Sequence, residues 1–318
     1  MSINRRRFLM LGGISLLGLP LWTPFGNPLF KNTIRGKSRV RPGDANWPSA
    51  EKWQDLNRAV KGNLIKIESP LDVCNTNGNG NACNNLFKNL KNPYFIGDNP
   101  ALTQTSGWLD AWKSEPSVYA VAAQETADVV AAVNFARIHN LRLVVKGGGH
   151  SYQGTSSAPD SLLIWTRALN KIELHNNFVA KDCEGIHPPQ HAVTVESGAL
   201  WFPTYDAVTT KGGRYVQGGG CATVGVAGLI QSGGFGSFSK NYGLAAPALL
   251  EAEIVTADGS VETVNAKRKP DLFWAIKGGG GGTFGVVTKL TLKTRALPEK
   301  FGAAFGRIKA KDDASYKL

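Results

Sequence analysis

Apolar residues in SAEKWQDLNRAV recur as Trp53, Leu56 and Val60, the spacing of one helical face, and Ser49 ahead of them is an N-cap side chain. A loop-rich stretch follows. From Val118 the pattern becomes regular: YAVAA predicts a strand, TADVVAAVNFARIH a helix with Val129, Val133 and Ala136 on one face, and LRLVV a second strand. That is a β-α-β unit. Further on, AVTVES predicts a strand, WFPTYDAVTTKGG a turn with a helix after Pro203, and EAEIVTADGSVETV a hairpin turning at Asp258-Gly259. In GVVTKLTLK, Val286, Thr288, Leu290 and Leu292 alternate with Lys289, Thr291 and Lys293, which predicts a half-buried antiparallel strand. A β-rich half thus follows the first unit, and no internal repeat is visible.

The length of 318 residues is enough for a sizeable core and about two domains. The net charge of +12 raises the question of nucleic acid, but the basic residues are thinly spread apart from Arg5, Arg6 and Arg7, with no stripe interleaved with aromatics. Nucleic acid is therefore not an expected partner. The N-terminus, NRRRFLMLGGISLLGLPLW, sets a cationic cluster before an apolar run that is short and glycine-rich for a membrane span. Arg5, Arg6, Phe8 and Leu9 resemble the twin-arginine signal, which implies export of an already folded protein across a bacterial inner membrane; an N-terminal anchor helix is the alternative. Four cysteines suit an oxidising compartment, and Cys74 and Cys83 bracket a flexible loop that would let them close a disulfide. Cys183, His187 and His191 have a metal-like spacing, but Pro188 and Pro189 forbid a helix that would align both imidazoles, so no metal is expected.

The 37 glycines exceed the ~7% usual for globular chains, and they gather after apolar runs in GGGHSYQG, QGGGCATVGVAGLIQSGGFGSF and KGGGGGTFGVV. Glycine lets successive amides approach an anion or a flat ring closely. The dinucleotide fingerprint G-x-G-x-x-G fails, because Tyr152 stands at its last glycine and no helix pattern follows. A nucleoside triphosphate loop fails too, since no cluster ends in Gly-Lys followed by Ser or Thr. What remains is a diphosphate-containing ligand held by loops, with an extended aromatic part.

In combination, GGGHSYQGTSS, GGGCATVGVAGLIQSGGFG, NYGL and DLFWAIKGGGGGTFGVV resemble the vanillyl-alcohol oxidase and para-cresol methylhydroxylase (PCMH-type) flavoproteins, within them the berberine bridge enzyme-like branch, from about Ser117 to Pro298. The resemblance implies an α+β, PCMH-type FAD-binding domain of two subdomains, a small β-α-β unit and a larger antiparallel sheet with flanking helices. It also implies FAD. Cofactor contacts are expected at Lys146, Gly147, Gly148, Gly149, His150, Ser151 and Tyr152 in the first cluster. In the second they fall at Gly220, Cys221, Thr223, Gly225, Gly228, Gly233 and Gly234, and in the third at Gly285, Val286 and Val287. His150 matches the family's histidine bonded to the flavin's methyl group, and Cys221 the cysteine bonded to the neighbouring ring carbon. Both types suit the role, since an imidazole nitrogen or a thiolate attacks an electron-poor ring. Taken alone, each would read as a turn residue or a small core filler.

Val224 matches the family position that controls oxygen access, where valine goes with oxidases. The resemblance divides the chain into an export signal (1–27), an N-terminal extension (28–113), the FAD-binding domain (114–298) and the start of a truncated substrate domain (299–318). The catalytic base belongs to the part of the family pattern that this sequence lacks, which leaves a fragment, a truncated product or a protein completed by a second polypeptide. The expected function is FAD-dependent oxidation of a sugar or other alcohol hydroxyl, a CH-OH donor, by hydride transfer to flavin N5, with oxygen as acceptor. The rival expectation is a flavin-binding protein without turnover.

Overall fold

The computed structural model describes residues 38–300 except 77–79, together with residues 304, 306, 307 and 309–316. The expected export signal lies outside the described residues. Helix α1, Ala50–Ala59, starts at Ser49, whose hydroxyl accepts from the Lys52 amide at 3.4 Å, and it buries Trp53 and Leu56 with Val60 just beyond. Strand β1, Leu64–Lys66, follows. The stretch read as loop folds into helical turns at Asp72–Thr76, helix α2 at Asn81–Asn89 and a turn at Pro93–Gly97. Cys74 and Cys83 are joined by a disulfide.

The β-α-β region contains β2 (Tyr119–Ala122), α3 (Thr126–Ile138), β3 (Arg142–Lys146) and a further strand, β4 (Ser161–Trp165). Asp128 accepts from the amides of Gln124 and Glu125 at 2.8 and 3.2 Å and so closes the start of α3, while Val129, Val133 and Ala136 are buried as their spacing predicts. The two predicted strands are not neighbours. Each runs parallel to β4, which lies between them in the order β1-β2-β4-β3. After Ser161 its sequence, LLIW, is an unbroken apolar run, the mark of a strand covered on both faces and one that alternation cannot reveal. Nor do residues 39–113 stand apart, since β1 pairs with β2 and α1 packs on α3.

The second sheet is antiparallel throughout, in the order β8-β7-β9-β6-β5. Its strands are β5 (Ile172–Phe178), β6 (Gln190–Glu196), β7 (Leu249–Val255), β8 (Val261–Asn265) and β9 (Val286–Lys293). The hairpin β7–β8 turns where predicted, with Gly259 at φ +88° and the Asp258 carboxylate accepting from Thr256 and Ser260. The helix expected after Pro203 instead begins at Trp201 and widens into π-type turns over Asp206–Lys211; proline fits the first turn, where its missing N–H is not needed. β9 is not half-buried: Val287 and Thr291 are buried as well as Val286, Leu290 and Leu292. As the middle strand it is covered on both faces, and irregular pairing with β7 breaks strict alternation. Val286 joins the core around α1 and α3, while Val287, Leu290 and Leu292 join the one around Trp201 and Ile230.

Where α3 meets the larger sheet, Glu253 of β7 accepts from the hydroxyls of Thr126 and Thr288, both at 2.7 Å, and pairs with Lys289 at 3.3 Å. Burial pushes its carboxyl pKa up, but these donors together hold it below the usual value.

Candidate functional site

β3 ends at Lys146, and the chain then turns through Gly147–Gly154. Lys146 is almost fully buried, and its ammonium donates to the carbonyls of Asn99, Pro100 and Leu102 at 3.1, 2.6 and 2.8 Å. Burial pulls its pKa down to about 7, while three acceptors favour the charged form. Its side chain thus clamps residues 99–102 to the turn, and the Gln104 amide donates to Gly149 O at 2.9 Å. Neither Lys146's target nor Gln104 carried a sequence signal, because residues 99–104 have no periodicity.

Gly148 and Gly149 are buried, yet among the described residues their amides, and those of His150 and Ser151, have no protein acceptor. Buried amides without partners are costly. Here they line a turn of the kind that binds an anion, with Gly149 at φ +75°. Tyr152 is exposed, and its carbonyl accepts from Trp112 Nε1 at 3.0 Å.

The second glycine cluster lies directly against the first. A Cβ at Gly148 would stand 2.6 Å from Gly225 N and 2.7 Å from Thr223 O, so this contact requires glycine. Leu200 and Gly225 form an antiparallel bridge, Trp201 N donates to Val224 O at 3.0 Å, and helix α4, Val226–Gln231, starts from there. Tyr205 donates to Gly219 O at 2.5 Å and steadies the approach to Cys221. Gly220 and Gly228 face open space. Gly233 and Gly234 adopt positive φ, and Gly280 N donates to Gln231 O at 2.8 Å, tying the third cluster to the second. Gly285, at φ +143°, is pressed against Val255 O, and the side chains of Val286 and Val287 lie in the cores. Val224 is half-buried against the larger core.

His150 and Cys221, 71 positions apart, meet at one hydroxyl: Thr223 Oγ1 is 3.0 Å from His150 Nε2 and 3.9 Å from Cys221 Sγ. His150 is half-buried, and burial lowers its pKa while a hydrogen bond to the Thr223 backbone opposes the shift. Cys221 is an exposed free thiol. Cys183, the other free cysteine, is buried and lines a separate cavity of about 230 Å³ with His187. The arrangement fits FAD: unpartnered amides at Gly148 and Gly149 suit a pyrophosphate, and two nucleophiles meet at Thr223, with open space at Gly220 next to Cys221.

A two-sheet α+β fold that joins such a turn to a cysteine loop defines a flavin-binding domain, and the FAD binding domain family matches residues 117–265. The chain belongs to the vanillyl-alcohol oxidase and PCMH superfamily of FAD-binding proteins. It is 38% identical over 279 residues to the FAD-linked oxidoreductase malF of Malbranchea aurantiaca, a match covering 81% of this chain and 47% of that protein. The VAO-type flavoprotein MtVAO615 from Myceliophthora thermophila C1 superposes with a TM-score of 0.71 at 34% identity, over 81% of this chain and 49% of the other. Glucooligosaccharide oxidase from Acremonium strictum, which carries a 6-S-cysteinyl, 8α-N1-histidyl FAD, gives 0.52 at 28% identity, over 58% and 36% of the two chains. The chain spans about half the length of the curated relatives it matches.

Proposed function

We propose that this chain is the cofactor-holding part of an FAD-dependent oxidase that acts on the hydroxyl of a sugar or another polar alcohol, with His150 and Cys221 both bonded to the flavin. The observation that carries the reading is the meeting of His150 and Cys221 at Thr223. The histidyl and cysteinyl links of the Acremonium oligosaccharide oxidase support it. Bound flavin would supply a hydride acceptor at N5 and pass the electrons to oxygen. The protein's own part is to hold the pyrophosphate on the amides of Gly148 to Ser151, fix the ring at two points, and govern oxygen access with Val224. The base that takes the substrate's proton belongs, in this reading, to the remainder of the whole protein or to a second polypeptide. Arg5, Arg6, Phe8 and Leu9 support an exported protein.

A second reading, a flavin holder without turnover of its own, rests on the chain's spanning about half of its relatives. The two separate in one experiment: flavin-loaded protein is mixed anaerobically with a panel of sugars and alcohols, and the yellow absorbance is followed. Bleaching, with peroxide released on admitting air, supports the oxidase. Retained yellow colour without bleaching by any donor supports the second reading.

A further inference from the structure

We propose that Thr223 is a positioning residue for both flavin bonds: its hydroxyl accepts from Nε2–H of His150, which leaves the lone pair on Nδ1, and donates to the sulfur of Cys221, which holds the sulfur in place without tying up its S–H. This rests on the covalent reading above. Both distances allow it: Oγ1 of the buried Thr223 lies 3.0 Å from Nε2 and 3.9 Å from Sγ, the longer distance being at the outer edge of a sulfur hydrogen bond.

A threonine hydroxyl carries one hydrogen and can donate to one neighbour only. Donated to Nε2, it would put the imidazole proton on Nδ1 and require Cys221 to act as the donor, as a thiol. Both nucleophiles would then be masked. In the opposite sense both are exposed at once, so one hydroxyl arms the two residues together. The ring is also hydrogen-bonded by the Thr223 backbone, so this residue holds the imidazole through both its side chain and its main chain. Burial favours the neutral ring, which has one N–H and one lone pair. Each attachment replaces an N–H or S–H of the protein and a C–H of the flavin by a new bond, and the two electrons and two protons pass to dioxygen as hydrogen peroxide.

The test compares wild type, Thr223→Val and Thr223→Ser as full chains produced under riboflavin limitation. The His150 tautomer is read by ¹⁵N NMR before flavin is added. After FAD addition, acid-stable flavin is followed by intact-protein mass spectrometry, with reversible FAD affinity measured alongside. The expected result is an Nε2–H tautomer in wild type and Thr223→Ser and a mixture in Thr223→Val. Attachment should be slowed about tenfold or more by valine at nearly unchanged FAD affinity, and restored by serine. Attachment in Thr223→Val at the wild-type rate, or an Nδ1–H tautomer in wild type, overturns the proposal. Wild type that forms no acid-stable flavin instead overturns the covalent reading, and the tautomer then still decides the role of Thr223.

Discussion

Gly148 shows how a missing methyl group builds the site. Two backbone loops touch where its Cβ would be, 2.6 Å from Gly225 N, so Gly148→Ala must push the histidine turn away from the cysteine loop. The expected cost is about 1–3 kcal/mol of stability with reduced flavin content, read from the denaturation midpoint and the flavin-to-protein ratio. His150 makes a second prediction. Its pKa lies below the ordinary 6.5 because of burial, so the neutral, nucleophilic ring persists below that pH. The rate of acid-stable flavin formation should therefore be half-maximal below pH 6.5, as measured across a pH series. The glycines, the histidine and the cysteine were all legible as a motif. The direction of the Lys146 ammonium was not, because its partners are carbonyls, which any residue could supply.

Elements whose burial is one-sided were readable from their periodicity, as α1 and α3 show. β4 was not, since a strand covered by neighbours on both faces loses the alternation that marks it. The helical turns between β1 and β2 carry too few apolar positions to show a period, and the covalent bond does part of the ordering there. Cys74–Cys83 closes a loop of sequence separation 9, for which chain entropy predicts about 2–3 kcal/mol at most. Thermal melts with and without reductant should therefore show a modest fall in midpoint, and Cys74→Ser with Cys83→Ser should match the reduced protein.

Glu253 ties the larger sheet to the start of α3 through Thr126, and β7 to its neighbour β9 through Thr288. Its folded pKa is lowered, so the unfolded chain takes up a proton first as pH falls. The stability it adds is full above about 4.5, the unfolded value, and is lost as pH drops through the lower folded value. Glu253→Gln should cost about 1–3 kcal/mol at neutral pH and flatten the acid limb of a stability-against-pH curve from urea titrations. The chain alone determined the helices with one apolar stripe, the Asp258-Gly259 hairpin and the glycine-His and glycine-Cys motifs, since each is set by neighbours within a few residues. Tertiary structure alone decided that β4 separates β2 from β3, that β9 is covered on both faces and that Thr223 stands between His150 and Cys221. Those outcomes depend on which distant segments come to lie against one another, and short-range spacing carries no record of that.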